Sequence, residues 1–209
     1  ELYLGSCLDY EELPEAVRIV NESLSPLLEE QGYTNFIASE IRWVSKDDFK
    51  FIDPTLRMPG QTGEQLLTTC ANLPEVMWRG ANGEMVTPEW SAEFSAEATV
   101  HHSGEFTGWR VLKVPEEIDE WFKPLKYCKR HGLLHYPPHR NDEVGVLIGQ
   151  DDTIEESIDK LKEHFKLFED EPVCIRDDLF KDLLESINEA ESKGVEFTEQ
   201  PIPEPEEVI

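Results

Sequence analysis

The chain has 209 residues, of which 39% are hydrophobic and 10% aromatic, enough for one large domain or two small ones with a packed core. Its formal net charge of −26 argues against nucleic acid as a partner, because phosphate contacts need Lys and Arg, and against anionic membranes. No apolar run approaches the roughly 20 residues of a membrane span, and the first residues lack the pattern of a secretory signal peptide.

The four cysteines are scattered and form no CxxC pair. With no secretory context, they are interpreted as free thiols in a reducing compartment, so a cytoplasmic protein is expected. The large acidic excess is otherwise typical of a solubilising surface.

The first predicted helix covers residues 9–32, and Gly32 is its stop signal. Asp9 with Glu12 resembles a capping box at its start. Pro26 lies inside the pattern and predicts a kink or a restart. Apolar residues recur along the segment at helical spacing: Leu13, Val17, Val20, Leu24 and Leu27.

Two antiparallel strands are predicted next, "TNFIASEIRWV" and "FKFIDPTLR", joined by the turn "SKDD". Residues 63–83 indicate a helix that is interrupted near Pro74 and ends in glycines. A run of short strands then follows, "SAEFSAEATVHHSG", "WRVLKVP", "KYCKRHGLLHYPP" and "EVGVLIGQ".

A helix begins at Thr153, which forms a capping box with Glu156. A second amphipathic helix is predicted from Asp178 to about Lys193, and the acidic, Pro-rich residues 196–209 are expected to be extended or disordered. The buried stripes are predicted at Ile154, Ile158, Leu161 and Phe165 of the first helix, and at Leu179, Leu183, Ile187 and Ala190 of the second. Helices packed on antiparallel strands make an α+β fold.

The predicted hairpin carries acidic residues at strand positions that usually hold uncharged residues. Side chains alternate across a strand, so Asp53, Thr55 and Arg57 are expected on one face, and Glu40 comes opposite Asp53. Two like charges directly opposite repel each other unless a cation lies between them. Carboxylates and a hydroxyl suit Mg²⁺, and the planar fork of an arginine suits phosphate.

The alternative is a solvated hairpin face without a ligand. In that case the acids would pair with nearby cations, namely Arg42, Lys50 and Arg57. Two acids on an exposed hairpin are common, and surface ion pairs contribute little stability.

The same stretch resembles the metal-binding hairpin of the ATP-grasp ligases. That family has an acid on one strand and, thirteen residues later, an acid on the next strand in the pattern E-x-N. Glu40, Asp53 and Thr55 fall at this spacing. Arg57 matches a place where some members carry an arginine that contacts the nucleotide phosphate.

The resemblance extends over residues 10–170. "FKFIDPTLRMPGQTGEQ" resembles a segment of phosphoribosylamine–glycine ligases with the signature "E-F-N-V-R", and "EVGVLIGQDDTIEESIDKLKEHF" resembles the C-terminal region of that enzyme. Some ATP-grasp proteins encoded by bacteriophages have a similar layout. The resemblance implies the C-terminal lobe of an ATP-grasp fold in residues 1–88. A small β-rich subdomain with two helices follows in residues 89–195, before the tail.

By resemblance, the expected protein is part of an ATP-dependent carboxylate–amine ligase. It activates a small-molecule or peptide carboxylate as an acyl phosphate, using Mg²⁺ and ATP. Glu40, Asp53 and Thr55 are the implied metal ligands. Arg57 is the implied phosphate-binding and catalytic residue, with Arg42 as a second catalytic candidate. An N-terminal lobe is the implied partner, and this chain is expected to be the C-terminal portion of a longer protein.

Two departures from the family pattern lie in the hairpin. Thr55 replaces the usual Asn, and Asp53 replaces the usual Glu, which is one methylene longer. Both changes weaken or reposition a metal. The second hypothesis is therefore a non-catalytic binding or structural protein that kept the fold.

Histidines and a cysteine also occur together in "CKRHGLLHYPPHR". The residue types suit zinc, and the candidates would be Cys128, His131, His135 and His139. Gly132 and the two prolines oppose the continuous helix that would align them. Ordinary strand and turn histidines are the favoured interpretation, also for His101 and His102, which alternate across a strand.

Overall fold

The computed structural model describes residues 1–60, 63–104, 108–138, 142–168 and 170–195. Within these ranges no helix is long and apolar enough to cross a membrane. The strands are β1 (Leu2–Ser6), β2 (Ala38–Ser45), β3 (Asp48–Thr55), β4 (Phe94–His102), β5 (Arg110–Leu112), β6 (Phe122–Pro124), β7 (Cys128–Arg130), β8 (Leu133–Tyr136), β9 (Glu143–Asp151) and β10 (Val173–Cys174). The α-helices are α1 (Glu15–Glu30), α2 (Gly63–Thr69), α3 (Leu73–Gly80), α4 (Ile154–Lys166) and α5 (Leu179–Ser192).

The chain forms two compact units. The hairpin unit comprises Leu8–Met58 and Glu185–Ile209, and the sheet unit comprises Glu1–Cys7 and Pro59–Leu184. These units do not coincide with the predicted domain division at residue 88, which stays a prediction. The predicted tail, residues 196–209, lies outside the described residues.

Antiparallel strands build the sheet unit. β1, β4, β9 and β6 pair in that order, and β10 pairs with the end of β4 that β1 leaves open. A separate three-stranded sheet has the order β5-β8-β7. The combination of α-helices with antiparallel sheets confirms the predicted α+β class.

The core of the sheet unit lies between β4, β9 and α4. Ala96, Ala98 and Val100 are fully buried on one face of β4, as the period of two in a strand requires. Gly149 on β9 allows α4 to approach closely, since a Cβ there would overlap the carbonyl oxygen of Ser157.

Helix α4 confirms its predicted start and buried face. The backbone N–H of Glu156 donates to Thr153 Oγ at 3.2 Å, and the Thr153 hydroxyl donates to the Glu156 carboxylate at 2.9 Å. Ile158 and Leu161 are buried, while Ile154 and Phe165 pack against the core from its edge. In α5, by contrast, the buried residue is Phe180, which the predicted stripe omitted.

The hairpin unit is built on α1. The predicted capping box forms, but it caps a single 3₁₀ turn, Tyr10–Glu12, and not α1 itself: the backbone N–H of Asp9 donates to the Glu12 carboxylate at 3.1 Å. Helix α1 continues through Pro26 without a restart, although the proline has no N–H to donate. Gly32 ends it with φ +63°, a conformation that glycine adopts without strain.

Strands β2 and β3 form the predicted hairpin, joined at residues 46–47. β2 packs on α1, and the Ser39 hydroxyl donates to the Asn21 side-chain carbonyl at 2.9 Å. Ile41 and Trp43 are half-buried on this face, so the opposite face carries the charged side chains.

Candidate functional site

The hairpin register places the two predicted metal-binding acids directly opposite each other. Glu40 pairs with Asp53, and Ala38 pairs with Thr55 one step nearer the open end. Directly opposed residues in an antiparallel pair have Cβ atoms about 4.5–5.5 Å apart. Glu40, Asp53 and Thr55 therefore share one face and one end of the hairpin.

An irregularity adjacent to the acid pair sets this register. Glu40 pairs with Asp53 but Ile41 pairs with Phe51, so Ile52 is the extra residue of a β-bulge. The bulge lets both acids share the charged face while Ile41 and Phe51 share the other. Without the bulge, the register of the Ile41–Phe51 pair would continue unchanged, and Ile52 would lie opposite Glu40 in place of Asp53.

Glu40 already has a cationic neighbour. Its carboxylate accepts from Arg42 Nη2 at 2.8 Å, and the two side chains are 48% and 73% exposed. An ion pair this exposed adds about 0–1 kcal/mol, so a metal can displace it at small cost. Near the turn, Lys50 pairs with Asp48 at 2.5 Å and not with either acid of the pair.

Asp53 is exposed, and its carboxylate makes no hydrogen bond or ion pair with any of the described residues. Thr55 is half-buried beside it. The exposed carboxylate of Asp53 is thus available for a ligand, whereas Glu40 must first leave Arg42.

Arg57 lies just beyond the end of β3. Its Nη1 donates to the backbone carbonyl of Met58 at 2.9 Å, and the side chain is exposed. The structure therefore gives Arg57 a local backbone bond and no carboxylate partner among the described residues. The rest of its guanidinium fork is open to an anion.

The donor set of the hairpin fits a hard divalent cation held mainly by other ligands. Two carboxylates and one hydroxyl are oxygen donors of the kind that Mg²⁺ takes, together with water and phosphate oxygens. Within the described ranges, no three His, Cys, Asp or Glu side chains come together as a metal site. The hairpin can supply one side of an Mg²⁺ coordination sphere, and phosphate and water would supply the rest.

A cavity lies on the opposite face of the hairpin, within the same unit. Its volume is about 320 Å³, and none of the five predicted site residues lines it. It is lined by the start of α1, the hairpin turn and the end of the described chain: Pro14, Glu15, Ala16, Arg18, Ile19, Trp43, Lys46, Asp47, Phe49, Gly194 and Val195. The acid pair thus lies outside this cavity.

Solved structures with similar folds are enzymes. Phosphoribosylamine–glycine ligase from Thermotoga maritima matches with a TM-score of 0.56 and 15% identity, over 84% of this chain and 44% of the ligase. Urea amidolyase from K. lactis matches with a TM-score of 0.51 and 17% identity, over 78% of this chain and 10% of the amidolyase.

The chain has an ATP-grasp-like fold. The first of these structures is the enzyme whose hairpin and C-terminal segments the sequence resembles, so that expectation is confirmed at the level of the fold. The chain spans less than half of that ligase. No model of a protein family matches the sequence, and no curated protein matches it either. The likeness to bacteriophage proteins stays a prediction.

The predicted zinc candidates separate in the structure. Cys128 and His135 are directly opposed on β7 and β8, but His131 lies in the turn between these strands with φ +51°. His139 lies outside the described residues. As expected for alternating strand residues, His101 and His102 do not share a ligand: His101 bonds to Asp142, and His102 Nδ1 accepts from the N–H of Gly104.

Sequence reasoning missed a buried acid in the sheet unit. Glu97 on β4 is 1% exposed, and its Oε2 has no hydrogen-bond partner among the described residues. Burial, followed by the nearby charge of Glu64, raises the pKa of Glu97 to about 8. The signal was present in "FSAEATV", where small residues on one strand face imply that Glu97 faces the other way, into the layer covered by α2.

Proposed function

We propose that this chain is part of an ATP-dependent carboxylate–amine ligase that uses Mg·ATP to activate a carboxylate as an acyl phosphate. The observation that carries the proposal is the register that sets Glu40 against Asp53. Two exposed acids at opposed positions repel each other unless a cation lies between them. The ATP-grasp-like fold supports the same assignment.

Each hairpin residue has a role in this proposal. Asp53 and Glu40 would hold Mg²⁺ beside the nucleotide, and Thr55 would add a weak or water-mediated ligand. Arg57 donates to the phosphoryl group as its charge develops, and Arg42 either orients the acyl phosphate or simply pairs with an acid, as it does with Glu40. Mg²⁺ supplies charge neutralisation on the phosphates when it is bound.

An N-terminal lobe is the proposed partner that completes the nucleotide site. The hairpin unit supports this with apolar side chains that stay exposed close to the acid pair. Ile52, next to Asp53 in the chain, is 52% exposed, and Leu56, next to Thr55, is 50% exposed. Apolar side chains grouped at one end of a hairpin are typical of a surface that a further lobe covers. The substrate is a small-molecule or peptide carboxylate, and the compartment is the cytoplasm.

The alternative is a non-catalytic protein that kept the fold, which Thr55 in place of Asn favours. An Asp53→Asn variant of the full-length protein separates the two functions. In the ligase, the substitution abolishes Mg·ATP-dependent phosphate release, because an amide neither carries charge nor replaces the carboxylate on Mg²⁺. In a binding protein there is no phosphate release to lose.

The Asp53→Asn variant is expected to remain folded. Without metal, losing one of two opposed acids relieves repulsion, so its thermal midpoint holds or rises slightly. Asp47→Asn is the matched control: it removes an exposed acid from the same hairpin, at the turn and not opposite another acid. Normal phosphate release by Asp53→Asn, or its unfolding, would show that the acid has a structural role.

A further inference from the structure

A second chemically reactive group of residues lies in the sheet unit, far along the chain from the hairpin. β10 pairs with the end of β4 so that Cys174 stands directly opposite His101. The backbone N–H of Ser103 donates to the carbonyl of Pro172 at 2.8 Å and continues this pairing beyond the strand. Opposed residues share a face, with Cβ atoms about 4.5–5.5 Å apart.

His101 is held by a carboxylate. Its Nδ1 lies 3.1 Å from Asp142 Oδ1. Burial acts to raise the pKa of Asp142. The hydrogen bond from His101 and the charges of His101 and Arg110 outweigh burial and hold this pKa below its ordinary value. An ionised carboxylate can only accept, so Nδ1 donates to Asp142, and Nε2 is the nitrogen left to take a proton from the thiol.

The thiol of Cys174 is exposed, while the imidazole of His101 is 22% exposed. The thiol makes no hydrogen bond to His101 among the described residues, so rotation of two side chains on one strand face is needed to bring Sγ to Nε2. Nucleophile–base contacts of this kind are often loose until a substrate binds. A thiol, a base and a carboxylate that orients the base are thus placed together by strand register.

Other charges around the pair select the kind of reagent that can approach. Glu143 pairs with His101 from β9 and Glu171 precedes β10, while each nearby cation has an acid beside it: Arg110 near Asp142, Lys126 3.6 Å from Glu143, and Arg176 2.7 Å from Asp178. The whole chain carries a net charge of −26. These charges repel anions and attract cations. A displacement at sulfur needs no oxyanion donor, so it asks less of the site than acyl transfer does.

We propose that Cys174, His101 and Asp142 form a thiol site that undergoes exchange with small disulfides of neutral or positive charge. His101 takes the thiol proton, and the Cys174 thiolate attacks one sulfur of the disulfide. A new S–S bond forms to Cys174, the S–S bond of the reagent breaks, and the departing thiolate takes the proton from His101. The products are a mixed disulfide on Cys174 and one free thiol.

The chain contains its own reference site. Cys128 is also exposed and also stands opposite a histidine, His135, on a neighbouring strand. His135 has no carboxylate partner among the described residues. The two other cysteines are less accessible, because Cys7 is half-buried and Cys70 is buried. Cys128 therefore serves as an internal reference, and because Lys129 and Arg130 give it a different charge, the His101 variants are what isolate the contribution of the oriented base.

The experiment treats the reduced chain with cystamine, a dicationic disulfide, and follows each cysteine by peptide mass mapping. Cys174 is expected to react about tenfold faster than Cys128. His101→Ala lowers the Cys174 rate to that of Cys128, while His135→Ala leaves both rates unchanged. Oxidised glutathione, which is anionic, reacts with Cys174 more slowly than cystamine does.

Asp142 is a positioning residue, so its test needs a readout that folding does not change. Asp142→Asn is expected to shift the pH at which the Cys174 rate is half-maximal, while the pH profile of Cys128 stays in place. His101→Gln provides a second folded variant, checked by its unfolding midpoint. Equal rates at Cys174 and Cys128, or an unchanged Cys174 rate in both folded His101 variants, overturns the proposal. Faster reaction with oxidised glutathione overturns the charge selection.

Discussion

At the scale of single residues, Thr55 is where the hairpin departs most from a ligase. It lies opposite Ala38, one step from the Glu40–Asp53 pair, so its side chain reaches toward the same end of the charged face. An Asn at this position places an amide carbonyl, a better hard-oxygen ligand than a neutral hydroxyl, one bond further out. That reach also compensates for the short Asp53.

Thr55→Asn is therefore expected to tighten Mg·ATP binding, which calorimetric titration of the full-length protein measures. Thr55→Val is the control, because it keeps the shape of the side chain and removes the hydroxyl, and it is expected to weaken binding slightly. Weaker nucleotide binding by Thr55→Asn would mean that position 55 is not aligned with the Asn of the family pattern.

Glu97 makes stability depend on pH in a direction that can be worked out. Its pKa in the folded chain is about 8, raised from an ordinary value of 4.5 by burial and by Glu64. The folded state therefore holds the proton more tightly than the unfolded state. The stability this adds is fully present below the unfolded pKa of about 4.5 and is lost as pH rises through about 8.

Glu97→Gln removes this dependence, because the amide is neutral at every pH and similar in shape. At one pKa unit per about 1.4 kcal/mol, the loss between pH 4.5 and pH 8 is on the order of 4 kcal/mol in the native chain. Denaturant unfolding at pH 5 is expected to give similar free energies for both proteins, and at pH 8 the variant is more stable. If the free energies of unfolding of the two proteins changed in parallel with pH, Glu97 would not be the cause of the pH dependence.

At the scale of elements, the contact between α4 and β9 depends on one glycine. A Cβ at Gly149 would overlap the carbonyl oxygen of Ser157 and the backbone nitrogen of Leu161. These are backbone atoms of a helix, so they cannot move aside as a flexible side chain does. The helix must shift, and buried residues such as Ile158 lose their packing.

Gly149→Ala is expected to lower the free energy of unfolding by roughly 3 kcal/mol or more, a size typical of overpacking in a core. Gly80→Ala is the matched control. It lies at the end of α3, and a Cβ added there would have no described neighbour within 4 Å, so alanine is neutral or stabilising by up to about 1 kcal/mol. Equal midpoints for the two variants in urea would contradict the packing argument.

Local patterns predicted the elements whose signals lie close together in sequence. The hairpin followed from alternation and a short turn, and α4 followed from its cap and stripe. The bulge at Ile52 could not be predicted, because alternation along a single strand does not show where the pairing with its neighbour shifts by one residue. β1 was missed because its five residues are stabilised by pairing with β4, more than 85 residues away along the chain, and by packing of Leu2 and Leu4 on the core.

The same distinction between local and long-range signals applies to the candidate sites. Opposition of Glu40 and Asp53 could be predicted, because it depends on two neighbouring strands. The Asp142–His101–Cys174 arrangement could not, because it joins β4, β10 and the start of β9, which only the tertiary fold brings together.

At the scale of the whole molecule, charge and fold act in opposite directions on a nucleotide. The net charge of −26 repels a polyanion unless a metal bridges it. The fold presents the acid pair on an exposed hairpin face, where water competes for every contact. In the proposed ligase, a second lobe would exclude that water and add cationic groups to those that Arg42, Lys50 and Arg57 supply on the hairpin.

Residues 1–209 alone are therefore expected to fold but to bind Mg·ATP weakly, with a Kd of hundreds of micromolar or above, on the order of −5 kcal/mol. Two carboxylates hold a metal through only part of its coordination sphere, and an open face leaves the base in water. The test titrates ATP with and without Mg²⁺ and follows the amide NMR signals of Glu40, Asp53 and Arg57. Shifts at these three residues that require Mg²⁺ support the hairpin site.

The same titration has two outcomes against this assignment. Micromolar affinity would mean that the chain holds a complete nucleotide site elsewhere than on the open hairpin face. Shifts centred on residues 131–139 would move the site to the histidine segment. Adding Mg²⁺ without ATP separates metal binding from nucleotide binding. An acid pair that relies on phosphate for the rest of the coordination sphere responds weakly to Mg²⁺ alone, because the ion keeps most of its water.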